Sequence, residues 1–418
     1  MKMSKVAVSL IAAGVIASPL AHATNGYFSH GYGIKAKGMA GVGIALPQDS
    51  LAAATNPAGM VMVGDRIDLG LDWFKPNRGS EIVGNAFGAD GTYDGNATSS
   101  FFIPEFGYNK MMNPEMSLGV SVYGNGGMNT DYSSSPFAAF GGSNPSGVNL
   151  SQLFIAPTWA MKFNPDNAVG VSLNLAYQMF EANGLEPFKG MSSDPNNVTN
   201  NGKDSSTGYG LRLGWTGKVS PMVTLGATYQ SRTKMGKLTK YAGLFAEQGG
   251  FDIPANYGVG IAVAASPETT VAFDIQTIQY GDVKSIANTL NEGGPLGADN
   301  GAGFGWENMT VYKLGVSHAY SAEFTVRAGL STTKQPIPES QTFFNILAPG
   351  VVENHMTLGG TWTLANKSEV SLAYMHAFKK TVNGSNSIPP GAPPGMGGGE
   401  ANLNMDEDSL GIAYSWKM

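Results

Sequence analysis

Hydrophobic and polar positions alternate along most of this chain. Between Val169 and Met179 every odd position is apolar, and the even positions carry small or polar side chains. Because successive side chains of a β-strand point to opposite faces, this period of two predicts a strand with one apolar face. Similar segments recur along the chain. They predict fourteen strands, at residues 65–75, 99–109, 115–124, 151–163, 168–181, 207–217, 222–235, 253–265, 268–281, 308–319, 323–334, 355–365, 368–380 and 405–417.

Charged side chains stand on the alternate face of several predicted strands, for example Arg212, Asp274, Lys313 and Arg327. Such a face suits a wet or plugged lumen and argues against the apolar core of a β-sandwich. Short turns alternate with long loops between the strands, and the strand number is even, as in bacterial outer-membrane barrels. The sequence therefore predicts an all-β fold, a transmembrane antiparallel β-barrel of about fourteen strands.

The first 23 residues have the layout of a signal peptide. A lysine-bearing start precedes an apolar run from Val6 to Leu20, and Ala21-His22-Ala23 forms an A-x-A cleavage site. The apolar run is short for a membrane span, so a short anchoring helix is the weaker alternative. This pattern predicts export, cleavage before Thr24 and location in an outer membrane of the Gram-negative type.

Residues 24–64 precede the first predicted strand and lack its alternation. The segment is rich in glycine, holds one helix candidate from Pro47 to Thr55, and carries several large apolar side chains. This apolar content argues against the alternative of a disordered periplasmic tail. A fourteen-stranded barrel encloses a lumen that is wider than wall side chains alone can fill, so we predict that the segment plugs it. The predicted organisation is a signal peptide at 1–23, a plug at 24–64 and a barrel at 65–418.

Composition and motifs argue against several functions. The chain has 25 basic and 31 acidic side chains and no cysteine. The acidic balance argues against a nucleic-acid partner, and the lack of cysteine excludes disulfides and thiolate metal sites. Ser317 and His318 are adjacent in a predicted strand, so they face opposite sides and cannot act as a nucleophile and its base. We predict no enzymatic activity, no cofactor and no metal site.

Several motifs resemble those of the FadL/TodX outer-membrane hydrocarbon transporters. They are Asn25-Gly26-Tyr27-Phe28, Gly31 to Gly41 and Asn56-Pro57-Ala58, with looser matches at 104–108, 253–257, 305–306 and 344–349. The resemblance covers essentially all of the chain after the signal peptide. It implies a fourteen-stranded barrel in which residues 24–64, here called the hatch, plug the lumen. It also implies passive uptake of hydrophobic molecules such as long-chain fatty acids or aromatic or aliphatic hydrocarbons.

The resemblance further implies a lateral exit at a kink in the third strand, close to the hatch motif Asn56-Pro57-Ala58, which would act in gating. The third predicted strand ends with Gly124, Gly126 and Gly127 within four residues. Glycines at this density weaken strand pairing and permit a kink or bulge. The alternative is that these glycines only mark the exit of the strand into its loop.

Large apolar side chains in the third and fourth long loops are candidates for capturing substrate. Clusters of this kind rarely lie on soluble-facing loops without a partner, and the resemblance implies that these loops shape a first capture groove. Packing of one loop against another is the alternative interpretation. The candidates are Leu185, Phe188, Leu244, Phe245 and Phe251.

Candidates for a lumen pocket follow from strand parity, and packing against the hatch is the alternative for each of them. They are Tyr123, Phe154, Met222 and Met375, where methionine would suit varied ligands. The lumen cations Arg212, Lys313 and Arg327 could meet a carboxylate headgroup. Pairing of these cations with lumen acids is the favoured alternative, and the acids concerned are Asp68, Asp72, Glu105 and Asp274.

Three functions fit these patterns. The first is a passive channel for hydrophobic small molecules, the second is a porin for polar solutes, and the third is a surface adhesin or receptor. The predicted hatch, the apolar loops and the family resemblance favour the first. The expected partners are a hydrophobic substrate, outer-membrane lipid and lipopolysaccharide, and the barrel is expected to be monomeric. The apolar lining does not distinguish fatty acids from neutral hydrocarbons.

Overall fold

The computed structural model describes residues 24–290, 293–391 and 395–418, so the predicted signal peptide lies outside the described residues. It contains sixteen strands, which are β1 (Arg66–Val83), β2 (Gly91–Asp94), β3 (Phe101–Asn113), β4 (Met116–Tyr132), β5 (Ser146–Asn164), β6 (Asn167–Asn183), β7 (Asp204–Ser220), β8 (Val223–Gln230), β9 (Lys234–Met235), β10 (Asn256–Ala264), β11 (Thr269–Ile278), β12 (Met309–Ala319), β13 (Phe324–Thr333), β14 (Asn354–Thr363), β15 (Glu369–Val382) and β16 (Glu400–Lys417). All but the short strands β2 and β9 form one antiparallel barrel, which closes where β16 pairs with β1. The predicted fourteen-stranded barrel is confirmed.

Some strands extend well beyond their predicted ends. The strand predicted at 65–75 continues to Val83, and the strand predicted at 405–417 begins at Glu400. These two extensions pair with each other, from Pro76 with Glu407 to Val83 with Glu400. Their outward positions carry polar side chains such as Asn77 and Glu81, so the apolar alternation fades although the hydrogen-bonded ladder continues.

The helices are short. Four-residue α-helices lie at Ile34–Lys37, Ala246–Gly249 and Lys284–Ala287, and 3₁₀-helices lie at Ala52–Ala54, Pro57–Met62, Ala138–Phe140, Glu186–Met191, Pro195–Asn197, Thr239–Tyr241, Tyr280–Asp282, Glu339–Gln341 and Phe344–Leu347. None of the helices in the described part of the chain is long and apolar enough to cross a membrane.

The two faces of the barrel wall differ as the alternation predicts. On β7, Leu211 and Leu213 are 48% and 50% exposed, whereas Arg212 between them is 2% exposed. The outer face therefore presents an apolar surface to lipid, and the inner face carries buried polar and charged side chains. Short turns connect the strands at one end of the barrel, and long connections such as 184–203 and 279–308 connect them at the other.

The hatch lies inside the barrel, where nearly all of its side chains are buried. Glycines on the inner face of the wall allow its backbone to approach closely. A Cβ atom on Gly226 would lie 2.3 Å from the Ile44 carbonyl oxygen. The helix predicted at 47–55 is wrong except for the 3₁₀ turn Ala52–Ala54, because the Asp49 side chain accepts the Leu51 N–H and Pro57 starts a separate 3₁₀-helix after Asn56.

Candidate functional site

Charged contacts hold the helical part of the hatch against the wall. Lys37 Nζ donates to Asp72 Oδ2 at 2.8 Å and lies 3.8 Å from Glu105 Oε2. Glu105 also accepts the backbone N–H of Gly33 at 3.1 Å. All three side chains are buried, so their charges interact more strongly here than they would in water.

A second group of charges lies beside the first. Lys35 forms an ion pair with Glu369, which also lies 3.4 Å from Arg66. Arg66 pairs with Asp68 at 2.7 Å, and Asp68 accepts the Ser50 N–H at 2.9 Å. The hatch is therefore anchored by charge-assisted bonds to strands on either side of the barrel closure.

The three lumen cations singled out from the sequence bind the hatch. Arg212 donates to the Thr55 carbonyl oxygen at 3.0 Å, and Lys313 donates to the His30 carbonyl oxygen at 2.8 Å. Arg327 donates to Gln48 Oε1 at 2.8 Å and to Thr361 Oγ1 at 2.7 Å.

The favoured prediction that these cations pair with lumen acids is wrong for the described residues. The acids are already engaged elsewhere, because they bind hatch lysines, hatch N–H groups or Arg66. Asp274, which lies beside Lys313 in the sheet, instead accepts the N–H groups of Gly43 and Ile44 at 2.8 and 3.0 Å.

The Asn56-Pro57-Ala58 motif forms a second anchor. Asn56 Nδ2 donates to the carbonyl oxygens of Ile44 and Trp215 at 2.7 and 2.9 Å, and Asn56 Oδ1 accepts the Ala58 N–H at 3.1 Å. The motif packs onto bare backbone, since a Cβ atom on Gly214 would lie 1.9 Å from Asn56 Oδ1 and one on Gly170 would lie 2.4 Å from the Pro57 carbonyl carbon.

The wall is irregular in β4, the third barrel strand. Its register with β5 shifts between Gly124 and Gly126, and the strand continues to Tyr132. The glycines therefore form a bulge within the strand, and the alternative that they mark its exit into a loop is wrong. The hydrogen-bonded register of β3 with β4 ends at Phe106 with Val122. We call the seam the unpaired stretch of wall that runs from that pair up to Asp131, where an isolated bridge to Asn96 rejoins the two sides.

The hatch N-terminus fills the bulge from inside. The Gly127 N–H donates to the Tyr27 carbonyl oxygen at 3.0 Å, and the Ser29 N–H donates to the Asn125 carbonyl oxygen at 3.1 Å. A Cβ atom on Gly126 would lie 2.1 Å from the Tyr27 oxygen. The expectation that Asn56-Pro57-Ala58 lies at the kink is therefore wrong. That motif sits on β6 and β7, and residues 27–29 contact the bulge instead.

The upper end of the seam is closed by backbone and side-chain contacts. The Ala97 N–H donates to the Asp131 carbonyl oxygen at 3.1 Å, and the Asp131 N–H donates to the Gly95 carbonyl oxygen at 3.0 Å. Arg78 Nη2 donates to the carbonyl oxygens of Gly95 and Thr98 at 3.0 and 2.6 Å, and its Nη1 donates to Asn129 Oδ1 on β4 at 3.3 Å. Thr98 Oγ1 also donates to Asp131 Oδ2 on β4 at 2.7 Å. These contacts join the two sides of the wall directly above the unpaired stretch. Arg78 was not identified from the sequence, because its role depends on the bulge in another strand.

The lumen candidates take different positions. Tyr123 and Phe154 are buried just below the bulge with ring centroids 5.6 Å apart, and Tyr32 of the hatch packs 4.8 Å from Tyr123. Met375 is buried on the inner face of β15. The prediction that Met222 lines the lumen is wrong, because this residue lies in the tight turn between β7 and β8 and is 53% exposed. The strand pattern had been extended one residue into that turn.

The loop candidates are buried in the structure. Leu185, Phe188, Leu244, Phe245 and Phe251 are each at most 3% exposed. Phe188 packs against Phe344 from another loop, with ring centroids 5.2 Å apart. In this conformation the candidates therefore show the loop-on-loop packing that was the alternative interpretation, and a capture role requires the loops to separate.

Aromatic rings connect these loops to the hatch. Phe245 packs 4.8 Å from Phe251, which lies 6.1 Å from Tyr27. Tyr27 also lies 5.4 Å from Tyr280 and 6.1 Å from Trp306. We call these five residues the aromatic column. Trp306 belongs to a motif of the family resemblance. Tyr280 was not singled out from the sequence: the strand predicted at 268–281 includes it, but β11 ends at Ile278 and Tyr280 lies in the long loop that follows.

Comparisons with known proteins agree with this architecture. Residues 15–406 match the family model for outer membrane protein transport protein (OMPP1/FadL/TodX). Among solved structures, the Pseudomonas putida toluene transporter TodX is 18% identical, with a TM-score of 0.70 over 94% of this chain and 100% of that chain. A Pseudomonas aeruginosa FadL homologue is 14% identical, with a TM-score of 0.72 over 94% of this chain and 99% of that chain. The Ralstonia pickettii toluene transporter TbuX is 17% identical, with a TM-score of 0.66 over 93% and 99%. No curated protein sequence matches the chain.

Proposed function

The chain belongs to the outer membrane protein transport protein (OMPP1/FadL/TodX) family, and we propose on that premise that it is a passive outer-membrane channel for hydrophobic small molecules. The proposed substrates are long-chain fatty acids and aromatic or aliphatic hydrocarbons. Substrate is captured between the extracellular loops, passes the aromatic column, and is admitted when the hatch N-terminus moves. It leaves sideways through the seam into the outer membrane.

The seam is the observation that carries the lateral exit. A closed barrel normally pairs every wall strand with both neighbours, because an unpaired backbone group facing lipid costs several kcal/mol. Here β4 gives up pairing with β3 above Val122 and bonds to Tyr27 of the hatch at the bulge. Movement of the hatch N-terminus would therefore open the lumen and the wall at the same place. A hydrophobic molecule gains by leaving there, since it enters lipid without crossing water.

The capture step is supported by the composition of the loops. Phe137, Phe188 and Phe343 come from three different long loops and pack together with ring centroids 5.2 to 6.0 Å apart. Contacts between loops are weaker than contacts within a paired sheet, and the elements that move in binding proteins are drawn from such regions. Parting of these loops would expose the rings to an arriving hydrophobic molecule.

Uptake measurements test the proposal. Labelled toluene and labelled oleate are supplied to cells that lack their own transporters, with and without this protein, and folding is checked by its resistance to detergent extraction and heat. Faster entry of either compound is the expected result. Entry of a small sugar with no gain for toluene or oleate would indicate a porin instead. No gain for any of the three would leave a receptor or adhesin.

The lateral exit has its own test. The chain has no cysteine, so the double variant Thr98→Cys/Asp131→Cys can be joined across the seam by a short, reducible bis-thiol reagent without background reaction. We expect uptake to fall on crosslinking and to return on reduction. The matched control is Thr277→Cys/Thr310→Cys, whose hydroxyls lie 3.1 Å apart on the paired strands β11 and β12. Uptake that is undiminished after the seam has been crosslinked would show that substrate leaves by another route.

A further inference from the structure

We infer that hydrophobic molecules first bind this channel at Phe87 and Phe140, and that they pass from there to the aromatic column along a series of packed rings. The inference rests on the proposed function and gives its capture step a place in the fold. Phe87 lies in the first long connection, residues 84–100, and Phe140 lies in the second, residues 133–145. The family resemblance instead implies a capture groove in the third and fourth long loops.

Phe87 is the most exposed large apolar side chain among the described residues of the long connections. It is 42% exposed, whereas Phe188 and Phe251 of the third and fourth long loops are 0% exposed. A hydrophobic molecule that arrives from water gains only by covering an apolar group that it can reach. Phe87 can therefore bind it before any loop moves, and the buried rings can bind it only afterwards.

The structure holds Phe87 at the surface on a fixed turn. Asn85 Nδ2 donates to the carbonyl oxygens of Met396 and Gly398 in the last long connection, at 2.7 Å each, and Asn85 Oδ1 accepts the Phe87 N–H at 3.0 Å. The half-buried Phe140 lies beside it, with ring centroids 6.5 Å apart and an interplanar angle of 62°. Because the backbone is already bonded in place, little conformational freedom is lost when a ligand binds between these rings.

A continuous series of rings leads inward from this pair. Successive ring centroids along the series are 4.8 to 6.5 Å apart, the separation at which aromatic side chains are in contact. After Phe87 and Phe140 the rings are, in order, Phe343, Phe188, Phe344, Phe304 and Trp306. Trp306 belongs to the aromatic column and lies 6.1 Å from Tyr27 of the hatch, so the series joins the surface to the part of the hatch that contacts the bulge.

The series follows the boundary between loops. Its rings beyond Phe87 come from four long connections, which are residues 133–145, 184–203, 279–308 and 334–353. Contacts between such elements open more easily than a paired sheet does. A hydrophobic molecule that moves along this boundary exchanges one ring contact for the next and does not return to water between steps.

The fourth long loop offers a second series, but this series does not reach the surface. Phe245 and Phe251 lead to Tyr27 as well. In the outward direction Phe245 packs against Phe180, which packs against Tyr241. Phe180 and Tyr241 are at most 1% exposed, so a molecule in water has no exposed ring at which to enter this series.

A charge placed beside the entry tests the inference. The chain has no cysteine, so Ala139→Cys, which is exposed next to Phe140 and leaves both rings in place, can be labelled on whole cells with a small charged methanethiosulfonate. The substrate is toluene or oleate, whichever the unsubstituted protein admits faster. We expect labelling to lower initial uptake several-fold with a cationic and with an anionic reagent, because the hydrated charge itself opposes a hydrophobic ligand, and we expect reduction to restore uptake.

Gly190→Cys is the matched control for this labelling. Gly190 is exposed in the third long loop, and a Cβ atom added there meets nothing within 4 Å beyond its chain neighbours. We expect its labelling to leave uptake unchanged. A loss in labelled Gly190→Cys that equals or exceeds the loss in labelled Ala139→Cys would overturn the inference. Absence of uptake by the unsubstituted protein would instead overturn the proposed function.

Substitution of Phe87 tests the ring itself. Phe87→Ser removes the apolar group and Phe87→Leu retains one, so initial uptake at low substrate concentration should fall several-fold in the first variant and change little in the second. At saturating substrate the rates should agree, because capture affects occupancy of the entry and not the later steps. Tyr320→Ser is the control, since Tyr320 is 77% exposed in the short turn between β12 and β13 at the other end of the barrel. Uptake by Phe87→Ser at the unsubstituted rate under low substrate would overturn the inference and leave the proposed function intact.

Discussion

The ion pairs of Lys37 predict how strongly the hatch is held. In Lys37→Met the side chain keeps a similar length and loses its charge, so that Asp72 and Glu105 lose the cation that lies 2.8 and 3.8 Å from their carboxylate oxygens. Removing one partner of a buried ion pair costs about 3–5 kcal/mol, because the remaining charge stays buried without compensation. At about 1.4 kcal/mol for each power of ten, the equilibrium between the seated and the released hatch should shift by roughly two to four powers of ten.

Limited proteolysis of the folded barrel in detergent measures this shift. We expect cleavage within the hatch to accelerate in Lys37→Met, while circular dichroism shows that the strands remain intact. Lys379→Met is the control, because that lysine is exposed on the outer face of β15. Neutralising the acids as well, in Lys37→Met/Asp72→Asn/Glu105→Gln, should restore much of the protection. Cleavage of Lys37→Met at the rate of the Lys379→Met control would refute the argument that these ion pairs hold the hatch.

Three further predictions concern the hatch. Gly126→Ala places a Cβ atom 2.1 Å from the Tyr27 oxygen, so hydrogen exchange at residues 27–29 should accelerate, whereas Gly190→Ala, with no neighbour within 4 Å, should have no effect. Gly214→Ala forces Asn56 off its two carbonyl acceptors, and we expect a loss of about 1–3 kcal/mol from overpacking, measured by thermal unfolding. Burial and the nearby Asp68 raise the pKa of Asp49 to about 6. The Asp49 carboxyl group therefore keeps its proton to a higher pH in the seated hatch than in the released chain. Its ionisation favours release, so the seated hatch becomes less stable relative to the released one as the pH rises from about 4 to 6. Asp49→Asn removes this ionisable group. Its hatch should therefore be better protected from proteolysis than that of the unsubstituted protein, by a margin that grows across this pH window and levels off above it.

The barrel was predictable from the sequence because its signal is local. Each strand alternates within itself, as Leu211, Arg212 and Leu213 do, and no knowledge of the neighbouring strands is needed. The ends of β1 and β16 were not predictable in this way, since Asn77 and Glu81 stand above the apolar band and their pairing depends on the opposite strand. The turn residue Met222 was misplaced for a related reason, because periodicity alone does not show where a strand stops.

The partners of the charged side chains were harder to predict from the sequence, because they depend on distances across the lumen. The sequence indicates that Lys313 and Asp274 face inward. It does not show that both side chains bond to the hatch backbone and not to each other: Lys313 donates to the His30 carbonyl oxygen, and Asp274 accepts the Gly43 N–H. The position of Asn56-Pro57-Ala58 on β6 and β7 depends in the same way on Gly170 and Gly214, which lie more than a hundred residues away along the chain.

The two halves of the hatch are held by different forces, and this difference indicates which half moves. Residues 33–50 are fixed by ion pairs through Lys35 and Lys37 and by N–H groups bonded to Asp68, Glu105 and Asp274. Residues 25–29 are held by backbone bonds to the bulge, by Tyr280 and by ring packing. The cavity between Gly26 of the hatch, Arg78 and Trp306 has a volume of about 10 Å³, which is room for about one water molecule, so a substrate can pass between the hatch N-terminus and Arg78 only if something is displaced. Neutral hydrogen bonds and aromatic contacts cost less to exchange than buried ion pairs do, and a hydrophobic substrate can replace the aromatic contacts itself. The N-terminal residues are therefore the part of the hatch that a substrate can displace, while the charged half keeps the hatch in the barrel.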